Sequence, residues 1–192
     1  MTNPSWSKLR HDALDSVQAL VSALDDQESD DPTLIAAYLE AKSTLATAFA
    51  QLARERFGQD QSLNAAVELV RSALDAFSEV PEAYRRMRHF SASHRILLAY
   101  LVRNVGKPVT AASLKMINHE QSETERRTRE LRTLGFDIEA THSAGQQTYT
   151  LKSAVPDTAL GARHQIAEQI RGDRKLTSDE RDVLLREYGV DV

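Results

Sequence analysis

The stretch from Gly106 to Ser153 changes its hydrophobic period from helical to alternating, and that order of periods admits few folds. It opens Gly-Lys-Pro-Val-Thr-Ala-Ala-Ser-Leu-Lys-Met-Ile. Pro108, Val109 and Thr110 read as extended chain, and Thr110 as the N-cap of a short helix ending at Ile117, with Leu114 and Ile117 buried. Residues 118–121 read as a turn, and Ser122, three residues before Glu125, gives the capping-box start of the next helix. After Gly135 the pattern alternates: Phe136-Asp137-Ile138-Glu139-Ala140 and Thr148-Tyr149-Thr150-Leu151 predict two strands joined through residues 141–147. Phe136, Ile138, Tyr149 and Leu151 would back this hairpin onto the helices. A preceding helix over 93–105, closed by Gly106, supplies Ile96, Leu97, Ala99, Tyr100, Leu101 and Val105 to the same core.

The helix after Ser122 can be placed in register at about 100° per residue. With Leu131 facing the core, Thr124, Thr128 and Leu134 fall beside it. Ser122, Arg126, Arg129 and Thr133 then point the opposite way, with Glu125, Glu130 and Arg132 on the flanks. Arg126 and Arg129 are the first candidates for groove contact, because a planar guanidinium grips guanine or phosphate through two hydrogen bonds. Arg127 lies near the core side, so its options are a salt bridge to Glu123 or Glu130, or a phosphate. The hairpin tip, residues 142–147, is polar and suited to a minor groove or flanking phosphates.

The rest of the chain is helical by pattern. Apolar residues recur at three- and four-residue steps over 7–24, 32–56 and 62–79, separated by the acidic 25–31 stretch, by Gly58 and by Val80-Pro81. Three such helices predict a bundle over residues 1–80, and the alanine-rich 32–56 helix offers a surface to a partner helix. Residues 81–93 form a basic connector carrying Arg85, Arg86, Arg88 and His89, either solvated or near a phosphate backbone. Residues 154–192 form a helical tail, with an amphipathic 162–170 stretch and a second helix started by the capping box of Thr177 and Glu180. Its default place is on a partner subunit or on the N-terminal bundle.

Charge sharpens this division. The net charge of −4 conceals an asymmetry: residues 1–80 hold 6 basic and 13 acidic side chains, whereas residues 85–152 hold 12 basic and 6 acidic. A local positive field attracts phosphate even on an acidic protein. The absence of cysteine excludes disulfides and thiolate metal sites. No apolar run suggests a signal peptide or a membrane span, so a cytoplasmic protein without membrane contact is expected. His142 has no second histidine near it in sequence, so no metal site is expected. Gly-rich phosphate loops, nucleophile elbows and His-Glu-x-x-His helices are missing, so no catalytic residue, cofactor or enzymatic activity is expected.

The fold class is therefore mainly α: an N-terminal helical bundle, a winged helix-turn-helix over 94–153 with a small β-hairpin wing, and a helical C-terminal tail. Residues 109–151 resemble the winged-helix DNA-binding domains of bacterial regulators. They are similar above all to the DNA-recognition module of HNH-type restriction endonucleases. The resemblance rests on Arg126-Arg127-Thr128-Arg129-Glu130-Leu131-Arg132 followed by Leu134-Gly135-Phe136-Asp137-Ile138. It implies DNA contacts at Arg126, Arg129 and Arg132. The nuclease half of such enzymes has no counterpart here, since neither its histidine–asparagine pair nor Cys-x-x-Cys knuckles occur.

The expected function is sequence-specific binding of double-stranded DNA by a homodimer, as a transcriptional regulator or a reader in defence against foreign DNA. Arg126 and Arg129 would enter the major groove, with Ser122 beside them. Arg127, Arg132, Thr133, Lys115 and the wing residues Ser143, Gln146 and Gln147 would hold the backbone. Two alternatives stay open: a non-catalytic assembly subunit whose winged helix meets an acidic protein, and the DNA-recognition part of a restriction endonuclease without its nuclease domain.

Overall fold

The computed structural model describes residues 5–118, 123–143 and 145–190, except for the side chain of Ser143. Among them the chain runs α1 (Trp6–Asp25), α2 (Asp31–Phe57), α3 (Ser62–Leu74), α4 (Ala92–Arg103), β1 (Val109–Thr110), α5 (Ala111–Ile117), α6 (Thr124–Arg132), β2 (Ile138–Ser143), β3 (Gln146–Leu151), α7 (Thr158–Gly172) and α8 (Ser178–Glu187). The protein is mainly helical, a helical bundle with a small hairpin wing. The ends of several helices follow from local chemistry. Asp30 accepts the Thr33 N–H at 3.0 Å to start α2, and Thr110 accepts the Ser113 N–H at 3.0 Å to start α5. Thr177 and Glu180 cap α8 reciprocally, with the Thr177 N–H donating to Glu180 at 2.7 Å.

α1 and α2 pair as an antiparallel helical hairpin. The Trp6 N–H donates to Glu55, and the Trp6 ring lies 5.8 Å from Phe49. At the far end of α2 the Phe57 ring meets Tyr100 edge-on, and the Arg103 guanidinium sits 4.6 Å above the same ring. Arg103 also donates to the Arg56 carbonyl, and Arg95 to the Gly58 carbonyl. These two arginines satisfy carbonyls left open where α2 ends, and so fasten the hairpin to α4.

α3 packs chiefly against α4 and α7. Its Leu63, Ala66 and Val70 join one core with Leu97, Leu101, Leu114, Leu131, Leu134, Tyr149 and Leu151. Leu74 and Val80 enter a second core with Ala162, Ile166, Ile170, Leu185 and Val190. The pull of that second core explains why α3 stops at Leu74 rather than near residue 79. A turn there delivers Val80, 1 % exposed, into the α7 packing. The tail is thus an integral layer on α3. Gly161 permits the close approach: a Cβ at that position would lie 2.8 Å from the Leu134 carbonyl oxygen and 2.9 Å from Val70.

The three strands form an antiparallel sheet in the order β1-β3-β2. The ladder runs past the expected strand boundaries, from Ile138↔Leu151 through Thr141↔Thr148 and His142↔Gln147 to Ser143↔Gln146. Gly145, at φ 75°, supplies the positive dihedral that so short a link needs. Turn-forming composition had suggested a loop from residue 141, but cross-strand pairing, including a 2.7 Å contact between the Thr141 and Thr148 hydroxyls, holds it extended.

Candidate nucleic-acid interface

α6 is held by polar as well as apolar contacts. Thr124, Thr128 and Leu131 are buried on its inner face. The Thr128 hydroxyl donates to the Thr124 carbonyl at 2.9 Å. Buried Asn118, at the end of α5, donates to the Thr124 hydroxyl at 3.2 Å. Glu123 occupies the N-cap position without a side-chain capping bond. Ser122, expected to form that cap and to face the groove, lies outside the described residues.

The outward face carries Arg126 and Arg129. Arg126 is 53 % exposed, yet its Nε donates to Glu130 at 3.0 Å and its Nη1 lies 3.4 Å from Glu123. Arg129 is exposed and makes no hydrogen bond or ion pair among the described residues. Arg127 sits closer to the core and bridges Glu123 and Glu130, both at 3.1 Å. On the wing side, Arg132 donates its Nε to the Ile138 carbonyl at 2.7 Å, which fixes the start of β2 against the helix. Lys115 projects from α5 exposed.

Thr133 departs from the open position that the outward face of the helix would give it. Thr133 caps the helix in a still right-handed conformation, so it is the packing of α7 that covers it. It lies half-buried against α7, where the Gln165 Nε2 donates to its carbonyl at 2.9 Å, while its hydroxyl donates to the Glu130 carbonyl at 2.7 Å. On the wing, strand alternation separates the two glutamines. Gln147 pairs with His142 on the sheet face that carries Tyr149 and Ile138, whereas Gln146 lies on the opposite face with Thr148. Ser143 belongs to β2 by its backbone, opposite Gln146.

The residue that organises this surface is Glu130, whose side chain is only 12 % exposed. Its carboxylate receives Arg126 and Arg127, lies 3.5 Å from Arg88, and accepts the His94 Nε2–H at 2.7 Å. Burial alone would raise its pKa, but the hydrogen bonds from His94, Arg126 and Arg127 outweigh burial and hold it at about 2. His94 is itself 1 % exposed. Burial pushes it below the ordinary imidazole value; Glu130 opposes that shift, and the Arg127 and Arg88 charges add to it. Its Nδ1 accepts the Ser91 N–H at 3.0 Å, so the proton of the neutral ring resides on Nε2.

Arg88 completes the web from the connector. It pairs with Glu168 of α7 at 2.7 Å, and its backbone N–H donates to buried Gln165 at 3.0 Å. The connector is therefore stitched between α6 and α7. Its other arginine heads differ, with Arg86 exposed and Arg85 half-buried. Spacing shows the Glu130 contacts to Arg126 and Arg127 at three and four residues. It gives no sign of His94, 36 residues upstream, or of Gln165.

Among the described residues no cluster of three histidines, cysteines or carboxylates could hold a metal ion, and no helix is long and apolar enough to cross a membrane. Chemically, the surface offers Arg129, exposed and without an ion pair among the described residues, Arg126, exposed but paired with Glu123 and Glu130, and a polar hairpin alongside. Residues 94–154 match the model of the KpnI N-terminal domain, a restriction-endonuclease-related domain. The match spans the stretch in which the sequence resembles the recognition module of HNH-type enzymes. No curated protein and no solved structure matches the chain.

Proposed function

We propose that the protein binds double-stranded DNA sequence-specifically, with α4 to β3 acting as a winged helix and α6 as the helix laid in the major groove. The observation that carries this reading is Arg129, exposed on the outward face of a helix whose inner face is locked in the core, and without an ion pair among the described residues. Arg126 follows by exchanging Glu123 and Glu130 for a base edge or a phosphate. The terminal nitrogens of Arg132, with Lys115, meet the backbone, and Gln146, Gln147 and Ser143 bring the wing to flanking phosphates. The element order helix, strand, helix, helix, hairpin and the similarity to a restriction-endonuclease-related domain support the same reading. The chain acts as a non-catalytic homodimeric reader, in transcriptional regulation or in defence against foreign DNA.

Selection of bound fragments from a random duplex pool tests this. A two-fold symmetric consensus, lost in the Arg126→Ala/Arg129→Ala double variant, is the expected result. Failure to retain any duplex would overturn it. That failure would favour the assembly-subunit reading, in which the ion pairs of Arg126 leave α6 too weakly positive for phosphate and suited to an acidic protein.

A further inference from the structure

The α1–α2 hairpin has two unlike faces. Stepping 100° per residue from the positions at which the helices touch, Ala13 on α1 and Ala41 on α2, sorts the remaining residues. Leu14, Val21 and Leu24 of α1 fall on the same side of the hairpin as Ile35, Tyr38 and Leu45 of α2. All six are between 37 % and 65 % exposed. The other side carries Lys8, Asp12, Thr33, Glu40, Thr47 and Gln51. A two-helix layer apolar on both its seam and one outer face has half a bundle core without its complement.

We propose that this face joins two copies of the chain, so that the two hairpins form an antiparallel four-helix bundle about a two-fold axis. The proposal deepens the homodimeric part of the DNA-binding reading and rests on it. Size argues for a second copy: with about 250 Å² for a tyrosine and the five aliphatic side chains toward the lower end of the roughly 150–250 Å² aromatic range, the six exposures amount to at most roughly 600 Å² per copy. Doubled across a two-fold axis, that reaches at most about 1,200 Å², the lower end of specific interfaces. Charge argues for the antiparallel sense. The same side also carries exposed charges, with Lys42 near its middle, Arg10 toward the open end of the hairpin, and Asp25 and Asp31 at its closed end. A two-fold axis perpendicular to the hairpin sets each Arg10 against the partner's acidic end, and an isologous contact repeats the pair twice.

Sedimentation equilibrium of the full chain at micromolar concentration tests the proposal. Wild type is expected at twice the 21.4 kDa chain mass. Val21→Glu/Tyr38→Glu should weaken association at least ~100-fold, with unchanged helical circular dichroism, because both side chains are already half in solvent. Arg10→Glu should weaken association, and adding Asp31→Arg should restore it. A monomeric wild type would overturn the proposal, as would a Val21→Glu/Tyr38→Glu protein that remains dimeric. A monomeric wild type would also remove the homodimeric part of the DNA-binding reading, whereas DNA binding itself keeps its own test on random duplex. Loss of DNA binding by a protein that still dimerises would defeat that reading and not this one.

Discussion

Replacing Glu130 by glutamine should make the protein less stable and a better ligand for DNA at once. The carboxylate sits 12 % exposed among His94, Arg88, Arg126 and Arg127 and is held at about 2 instead of the ordinary 4.5. A displacement of that size corresponds to roughly 3 kcal/mol of preference for the charged form in the folded state. The amide keeps one acceptor but leaves three guanidinium groups without their shared counter-charge, so about 2–3 kcal/mol of stability should be lost. For a chain of this length that is roughly 5–10 °C in Tm. The folded pKa is depressed, so the contribution is complete above the unfolded value and disappears as pH falls from about 4.5 toward about 2. Denaturant melts across that window should show a steep wild-type loss and a shallower one for Glu130→Gln. Removing one negative charge and freeing Arg126 should also tighten binding to random duplex. Equal melting temperatures together with parallel pH profiles would refute the idea that Glu130 is the electrostatic hub of this surface.

Other outcomes follow from the same geometry. Arg129→Ala should weaken specific DNA binding by about 1–3 kcal/mol with little change in Tm, whereas Arg127→Ala, which breaks two ion pairs, should lower Tm as well; titration beside thermal melts separates them. His94 is buried with a depressed pKa, so its contribution to stability is intact above about 6.5 and wanes as pH drops below that value; His94→Gln should flatten the wild-type stability profile just below pH 6.5 in denaturant titrations. Gln165→Leu strands the Arg88 N–H and the Thr133 carbonyl and should cost about 2–3 kcal/mol in urea unfolding. Gly135→Ala, at φ 83° and with a Cβ driven into the Asp157 carbonyl, should lose at least about 2 kcal/mol by the same assay.

What could be seen in advance was whatever repeats locally. The Leu131–Thr128–Thr124 stripe, the Thr110 and Thr177 caps and the Tyr149–Leu151 alternation each depend on residues within a few positions, and the structure places all of them as their spacing requires. Boundaries failed where tertiary burial intervened. Val80 draws the chain out of α3 early, and Thr133 is covered by Gln165, 32 residues away. The candidate surface was legible in part for the same reason. A helical register orients Arg126, Arg127 and Arg129, but the neutralising role of Glu130 depends on His94 and Arg88, which only the packing of α4 and the connector brings within reach. Counting charges over 85–152 also leaves out Glu168, which pairs with Arg88, whereas Arg95 and Arg103 are tied to backbone carbonyls and keep their charge.

Fluorescence anisotropy of a labelled random duplex, titrated with wild type and with Arg126→Ala/Arg129→Ala at several salt concentrations, bears most directly on whether α6 is a DNA-reading helix. Wild-type affinity should fall linearly in log–log form, with a slope of about −0.9 for each phosphate neutralised. The double variant should bind at least ~10-fold more weakly at low salt with a shallower slope. Equal affinities for the two proteins, or a wild-type affinity indifferent to salt, would contradict that claim.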